Sequence, residues 1–187
     1  MSSLSDIERD IIIQCKKNDL RHQEMLYKHF YSYAMGISLR YSYSREEALE
    51  IVNDSFMKVF DKIHTYNLQL SFKAWLRKIV IHTAIDYYRK YAKYKYHLDI
   101  EKAASESSDL DAIDKLEVDD ILKLLHELPQ QYRLIFNLYE IEGYSHKEIG
   151  EMLNISESTS RTQLTRAKKK LRHLFQDFFD KSYEKKL

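Results

Sequence analysis

The sequence predicts an all-α protein, with two helical domains joined by an acidic flexible linker, and three observations lead to that prediction. The chain has 187 residues but only three glycines and one proline, which leaves little of the turn chemistry that β-hairpins need. Apolar residues recur at helical spacing along most of its length. Charge is segregated: residues 72–97 carry a net +6, residues 98–120 a net −7 and residues 157–173 a net +5. Two basic blocks separated by an acidic one predict two modules that face nucleic acid and a connector that avoids it.

Two helices are predicted at the start of the first domain, which we assign to residues 1–97. Ser5 and Glu8 have the spacing of a capping box, in which each side chain bonds a backbone N–H of the other residue, and this opens the first helix. A second helix is predicted from about residue 22 to residue 40. Its apolar stripe consists of Leu26, Phe30, Tyr33, Ala34 and Ile37.

The third predicted helix is long and amphipathic, and it begins at another capping box, formed by Ser44 and Glu47. Its apolar residues extend from Ala48 to Ile63 along one side. The opposite side is polar, and spacing alone favours an ordinary solvated surface there. The pattern breaks at residues 65–71, which we predict to form a loop.

A fourth helix is predicted from Phe72 to about Tyr96, with cations and aromatic residues alternating in its second half. Aromatic rings beside cations form a stacking platform for unpaired bases along a charged groove. Core tyrosines among solvated lysines explain this stretch equally well, so taken alone it leaves both interpretations open. The alternating residues are Tyr87, Tyr88, Arg89, Lys90, Tyr91, Lys93, Tyr94, Lys95 and Tyr96.

The linker is predicted at residues 98–112, which are rich in serine, alanine and acidic residues and have weak periodicity. The second domain, residues 113–187, opens with a helical pattern that extends to Leu128. Pro129 suits the first turn of the next helix, and Gly143 suits the position just past its end.

A helix-turn-helix is predicted between Tyr144 and Arg172. Ser145 and Glu148 form a capping box, Asn154 tolerates a left-handed turn, and a strongly basic second helix follows. A short helix, a tight turn and a basic second helix are typical of DNA-binding helix-turn-helix motifs. An αα-hairpin with a solvated basic face is the alternative. The early part of the second helix holds the candidate base-contacting residues Arg161, Thr162, Gln163, Thr165 and Arg166.

Several function classes find no support in the sequence. The eight histidines are scattered without metal-ligand spacing, and no glycine-rich phosphate loop or GxSxG motif occurs, so we expect no metal, no cofactor and no catalytic residue. Cys15 is the one cysteine, which excludes a disulfide framework within the chain. No signal peptide and no apolar run of about 20 residues is evident, which predicts a cytoplasmic protein that does not insert into membranes.

Three stretches resemble the extracytoplasmic-function type of bacterial RNA polymerase sigma factor. EALEIVNDSF at residues 47–56 is similar to the family's acidic helix. FKAWLRKIVIHTAIDYYRK at residues 72–90 is similar to its FxxWLxxIAxNxAxDxxR helix. The stretch from Leu128 onward is similar to its helix-turn-helix domain. The resemblance extends from about residue 8 to residue 175, with the order and spacing of the family.

The resemblance implies a sigma factor that binds core RNA polymerase and directs it to promoters through the minus-ten and minus-35 DNA elements. It implies that the third helix docks on the β′ clamp, that the polymerase β flap is a further contact, and that an anti-sigma factor is a partner. The candidate polymerase-binding residues are Glu50, Asn53, Asp54 and Met57.

The resemblance also implies which residues recognise promoter DNA. In this family, the loop after the third helix captures a flipped base of the melted strand. The implied minus-ten residues are Tyr66, Asn67, Leu68 and Gln69 in the loop and Lys78, His82, Asp86, Arg89 and Lys90 in the fourth helix. The implied minus-35 residues are Arg161, Thr162, Gln163, Thr165, Arg166 and Lys169.

The chain departs from the family pattern at three of the positions that matter here. His82 stands where asparagine is usual, Ser160 where a buried valine is usual, and Gln163 where arginine is usual.

The alternative function is a free-standing helix-turn-helix regulator that binds duplex DNA without polymerase. An enzyme acting on DNA is disfavoured, because no face shows either clustered carboxylates for a metal or a positioned nucleophile.

Overall fold

The structure is a computed structural model that describes residues 5–95 and 116–184, with side chains at residues 5–90 and 120–178. Every element in these ranges is helical. The chain divides into two compact units, Met1–Lys102 and Ala103–Leu187. The predicted linker, residues 98–112, lies outside the described residues.

In the residues that the structure describes, the first unit contains four α-helices and one short 3₁₀ turn. They are α1 (Asp6–Cys15), α2 (Leu20–Ser38), α3 (Arg45–Lys62), the 3₁₀ turn (Ile63–Thr65) and α4 (Phe72–Lys95). The capping box between Ser5 and Glu8 is confirmed, with both of its backbone hydrogen bonds formed. Helix α2 begins two residues earlier than predicted, because Asp19 accepts a hydrogen bond from the backbone N–H of His22 and caps it.

The capping box predicted at the start of α3 is only half correct. The Ser44 hydroxyl accepts the backbone N–H of Glu47, as expected. The Glu47 carboxylate accepts the N–H of Tyr43, at 2.7 Å, where the prediction had the N–H of Ser44. The acid therefore ties down the residue before the cap and fixes the direction from which the chain enters α3.

The core of the first unit lies where α2, α3 and α4 pack together. The Phe30 and Phe72 rings lie 4.8 Å apart, and Phe56 contacts Tyr27 at the same centroid distance. Leu26, Ile51 and Leu76 are fully buried beside them. Burial of this apolar surface holds α3 and α4 against each other and presents their outer faces side by side.

The described part of the second unit, residues 116–184, contains four further α-helices and a π-helical segment. They are α5 (Leu116–His126), α6 (Gln130–Phe136), the π-helical segment (Asn137–Ile141), α7 (His146–Leu153) and α8 (Glu157–Glu184). Gly143 adopts a φ of +78° just past the π-helical segment, as the sequence predicted. Pro129 was predicted in the first turn of α6 and lies one residue earlier, at the N-cap. The core of the second unit includes Leu125, Leu128 and Ala167.

The helix-turn-helix geometry predicted from the sequence is confirmed in α7 and α8. Ser145 and Glu148 form both hydrogen bonds of the capping box, and Asn154 ends α7 in the left-handed conformation, at φ 55°. The Ser156 hydroxyl accepts the backbone N–H of Thr159 and caps α8. A β-carbon on Gly150 would lie 2.8 Å from the carbonyl oxygen of Ile155, so the missing side chain is what lets the turn fold back closely.

Within the residues described, none of the helices is both long enough and apolar enough to cross a membrane.

Candidate polymerase and DNA interfaces

The polar face of α3 is held in place by tyrosines from two neighbouring helices. The hydroxyl of Tyr27 in α2 donates to Asn53 Oδ1 at 2.9 Å, and that of Tyr87 in α4 donates to Asp54 Oδ2 at 2.8 Å. Met57 lies one turn further along α3 and is 62% exposed. This face therefore presents an amide, a carboxylate and an apolar side chain, with the two polar groups already oriented before any partner binds.

Such orientation lowers the entropic cost of binding, because ordering a side chain at an interface opposes association. Burial, together with the neighbouring Tyr31, raises the pKa of Tyr27, so its phenol stays protonated and continues to donate to Asn53. Glu50, which the resemblance assigns to the same surface, is exposed. Sequence reasoning did not find the two supporting tyrosines, since they lie 26 and 33 positions from their partners.

A groove of about 510 Å³ lies between the end of α3 and the outward face of α4. Its lining residues are Lys58, Lys62, Thr65, Trp75, Lys78, Ile79, His82 and Asp86. Three lysines beside an indole ring suit a chain of phosphates that carries an unpaired base. The sequence predicted Lys78, His82 and Asp86 at this site; it missed Lys58, Lys62 and Trp75, which come together only when α3 and α4 pack.

Asp86 is the acidic residue of this groove, and it is paired with cations. Lys58 Nζ lies 3.0 Å from Asp86 Oδ2, and Arg89 lies 3.8 Å from Asp86 Oδ1. His82, Arg89 and Lys90 are exposed on the same helix. The carboxylate therefore orients Lys58 across the groove from α3 and Arg89 along its own helix, and the three lysines leave the net charge of the lining positive.

The loop between the 3₁₀ turn and α4 is closed by its own hydrogen bonds. The Tyr66 ring is only 3% exposed and packs against Phe72 and Trp75, while its hydroxyl donates to the carbonyl of Leu70. Asn67 Oδ1 accepts the N–H of Gln69 at 2.9 Å. Of the four loop residues assigned to base contact, Asn67 and Gln69 are exposed and Leu68 is half-buried. Tyr66 supports the loop from beneath, so in this structure its ring is not accessible to a base.

The basic helix of the second unit presents most of its predicted minus-35 residues to solvent. Arg161, Thr162, Thr165, Arg166 and Lys169 are exposed, and Gln163 is half-buried. Arg161 pairs with Glu157, whereas no described side chain forms an ion pair with Arg166. Both threonine hydroxyls donate to the carbonyl four residues earlier, so their methyl groups point outward as apolar contacts.

A buried polar pair joins the two helices of the motif. His146 Nδ1 lies 2.9 Å from the Ser160 hydroxyl, and both side chains are buried. The imidazole also stacks on the Tyr139 ring at 4.3 Å, with 20° between the planes. Ser160, the departure from the usual valine, is therefore matched by a histidine that fills its hydrogen bond.

The pKa of His146 lies below its ordinary value of 6.5, first because the ring is buried and next because Arg161 is near. Glu157 opposes this shift, and Lys168 adds to it. We expect the free energy of unfolding of the second unit to fall as the pH drops below 6.5, because the unfolded chain binds a proton there that the folded chain disfavours. The stability that neutral His146 contributes is fully present above pH 6.5 and is lost as the pH falls to the pKa of His146 in the folded protein.

Chemical denaturation between about pH 8 and pH 5, the range in which histidine titrates, measures this effect. His146→Asn should flatten the pH dependence, while His173→Asn, at an exposed position of α8, should leave it unchanged. An equal slope in the His146→Asn variant would show that another group controls the acid response.

Two family models match the chain, each over one of the two units. Sigma-70 region 2 matches residues 26–94, which include most of α2, all of α3 and most of α4. Sigma-70, region 4 matches residues 119–171, which include the helix-turn-helix.

Among curated relatives, the ECF RNA polymerase sigma factor SigW of Bacillus subtilis (strain 168) is 31% identical over 144 residues, covering 70% of this chain and 76% of that protein. The RNA polymerase sigma factor SigV of the same strain is 31% identical over 136 residues, covering 73% and 80%. A solved structure of the sigma factor RpoE from Bartonella quintana, in complex with the anti-sigma factor NepR, aligns with a TM-score of 0.50 and 19% identity, covering 82% of this chain and 96% of that one. At that identity the structural similarity shows the fold alone.

The two matched regions follow each other in the order that the sequence resemblance implied. The identity to SigW and SigV extends over most of both proteins, so it is not limited to the helix-turn-helix. The chain belongs to the sigma-70 family and is an extracytoplasmic-function sigma factor, which directs promoter-specific transcription by RNA polymerase.

Proposed function

We propose that the first unit both docks on core polymerase and recognises the minus-ten element, while the second unit recognises the minus-35 element. The observation that carries this proposal is the pairing of α3 and α4. The tyrosine-held face of α3 and the lysine-lined groove of α4 belong to one packed pair of helices. Polymerase bound to α3 would therefore place the groove at a defined position on the DNA.

In this proposal the α3 face, with Glu50, Asn53, Asp54 and Met57, binds the β′ clamp. The groove takes the phosphates of the melted strand through its lysines, and His82 replaces the usual asparagine as a polar contact. Asn67, Leu68 and Gln69 contact the flipped base from the loop above.

In the second unit, α8 lies in the major groove of the minus-35 element. Arg161 and Arg166 contact base edges, the threonine methyl groups supply apolar contacts, and Lys169 neutralises phosphate. We assign the functional domain for the minus-35 element to residues 113–187, the domain for polymerase and the minus-ten element to residues 1–97, and the linker between them to residues 98–112. The second unit also contacts the β flap.

The chain itself catalyses no reaction in this proposal. The polymerase carries out RNA synthesis.

An anti-sigma factor is the further partner that we propose. RpoE of Bartonella quintana was solved with the anti-sigma factor NepR bound. Leu49 and Met57 leave apolar surface exposed on α3. A protein that covers this face would compete directly with polymerase and keep the sigma factor inactive.

The test begins with core polymerase and the purified chain on a sizing column, where stoichiometric co-elution is expected without DNA. The holoenzyme is then used to select promoters from a library randomised in both elements. We expect base preference at two separate sets of promoter positions, which we call the minus-ten block and the minus-35 block. Tight binding of the chain alone to duplex DNA, without co-elution, would instead support a free-standing regulator.

Arg166→Ala is expected to flatten base preference in the minus-35 block by about 5- to 150-fold, the discrimination that a good bidentate base contact provides. Co-elution with polymerase and the minus-ten block should not change. Arg172→Ala is the matched control, since this exposed arginine lies further along α8 and is not assigned to a base. Equal flattening in both variants would reduce the role of Arg166 to general phosphate attraction.

A further inference from the structure

We propose that Lys16 is a positioning residue for the base-capturing loop and sets minus-ten discrimination without touching DNA. Lys16 directly follows α1, and its Nζ donates to the backbone carbonyl of Tyr66 at 2.7 Å. The two residues lie 50 positions apart in the sequence. The inference rests on the function proposed above, in which this loop receives the flipped base.

The contact is a charge-assisted hydrogen bond, which is shorter and stronger than one between neutral groups. The lysine is half-buried, and no described carboxylate forms an ion pair with it, so its ammonium group is committed to the loop carbonyl. Lys17, the next residue, is exposed. The helix that carries Lys16 is itself anchored, because Ile11, Ile12 and Cys15 are buried.

Tyr66 holds both ends of the loop, since its backbone begins the loop and its side chain reaches the other end at Leu70. The Tyr66 hydroxyl donates to the Leu70 carbonyl, and the N–H of Leu70 donates to the Asn67 carbonyl at 3.0 Å. The side chain of Tyr66 is thus fixed by packing and by the loop itself. Lys16 fixes its backbone from a separate helix, and the exposed tip at Asn67 and Gln69 extends from this fixed point.

The position of the tip matters because extruding a base costs a few kcal/mol, which only a preformed pocket can offset selectively. A misplacement of about 1 Å in a group that orients a reactant can lower its effect 100-fold. Removing the Lys16 contact should leave the pocket residues present but loosely placed. The expected result is weaker discrimination at the flipped position and not a loss of the fold.

The experiment compares Lys16→Met, Lys17→Met and Lys16→Arg as reconstituted holoenzymes, each selecting from the same library randomised in both promoter elements. Methionine keeps the apolar stem of lysine and removes the donor. We expect Lys16→Met to reduce base preference in the minus-ten block about tenfold, the lower end of the range for one hydrogen bond to a charged group, because the contact acts on the base only through the loop. The minus-35 block and core binding should match the wild type, and thermal unfolding should remain cooperative. Lys17→Met should behave as wild type, and Lys16→Arg should restore most of the preference.

Three results would overturn the inference. Unchanged minus-ten preference in Lys16→Met would show that the loop holds itself. Equal loss in both blocks, or loss of core binding, would give Lys16 a general structural role. Equal loss in Lys17→Met would reduce the effect to net charge. If the wild-type holoenzyme fails to form, or selects no preference in either block, the proposed function fails first, and this outcome is separate from the other three.

Discussion

Replacing Asn53 and Asp54 together with alanine is expected to weaken binding to core RNA polymerase about 100-fold, the loss of one or two residues that dominate an interface. Both side chains are oriented by tyrosines, so their contribution is not reduced by the cost of ordering them on binding. Alanine is the best helix former and both positions are exposed, so α3 should remain folded. Titration of core polymerase with fluorescently labelled protein measures the affinity.

Two kinds of control separate docking from other effects. Tyr27→Phe and Tyr87→Phe remove only the supporting hydroxyls, and each should weaken binding less than the double alanine variant. Glu24→Ala removes an exposed acid from α2, where it pairs with Lys28 at 2.6 Å, and it should leave the affinity unchanged. Unchanged affinity in the double variant would identify the α3 face as ordinary solvated surface.

The features that the sequence predicted correctly are those whose cause is local. The capping box of Ser145 and Glu148 spans four residues, and the left-handed turn at Asn154 involves that residue and the nearby Gly150. Both were confirmed, because nothing distant competes with them. The Ser44 box failed in part because a glutamate side chain reaches several N–H groups, and the choice between Tyr43 and Ser44 depends on how the chain arrives.

The supporting contacts of the proposed sites could not be predicted, because they join residues far apart in the sequence. The helical spacing of apolar residues placed Asp54 on the polar face of α3. It does not show which helix packs beside that face, so the hydrogen bond from Tyr87 could not be predicted. The role of Tyr66 in the loop could not be predicted from the sequence for a similar reason, since an aromatic residue there suits base contact and core packing equally. Only the packing of Tyr66 against Trp75 distinguishes the two.

Ser160 shows how a departure from a family pattern acquires a physical reason. In the sequence it was a small polar residue at a position that usually holds buried valine. Its partner His146 is 14 residues away, across the turn between α7 and α8, and it becomes a neighbour only when that turn closes. The pair retains a buried contact between the two helices by a hydrogen bond in place of apolar packing.

The close approach within that turn leads to the second large prediction. Gly150→Val is expected to lower the free energy of unfolding of the second unit by about 1 to 3 kcal/mol, the typical cost of overpacking a tight contact. The new β-carbon would lie 2.8 Å from a backbone carbonyl oxygen, which cannot rotate away as a side chain does. Minus-35 preference should be lost, and the part of core binding that depends on the α3 face should be kept.

Gly36→Val is the matched control, since a β-carbon at this helical position in the first unit would meet no atom within 4 Å. Its effect should be within about 0.5 kcal/mol, as for most surface substitutions. The chain has one tryptophan, Trp75, so its fluorescence reports unfolding of the first unit, and circular dichroism reports both. Gly150→Val should shift only the circular dichroism transition. If Gly150→Val does not shift the circular dichroism transition, the turn can accommodate a β-carbon at residue 150 and the prediction is wrong. If the Trp75 transition moves with it, the strain is transmitted beyond the helix-turn-helix.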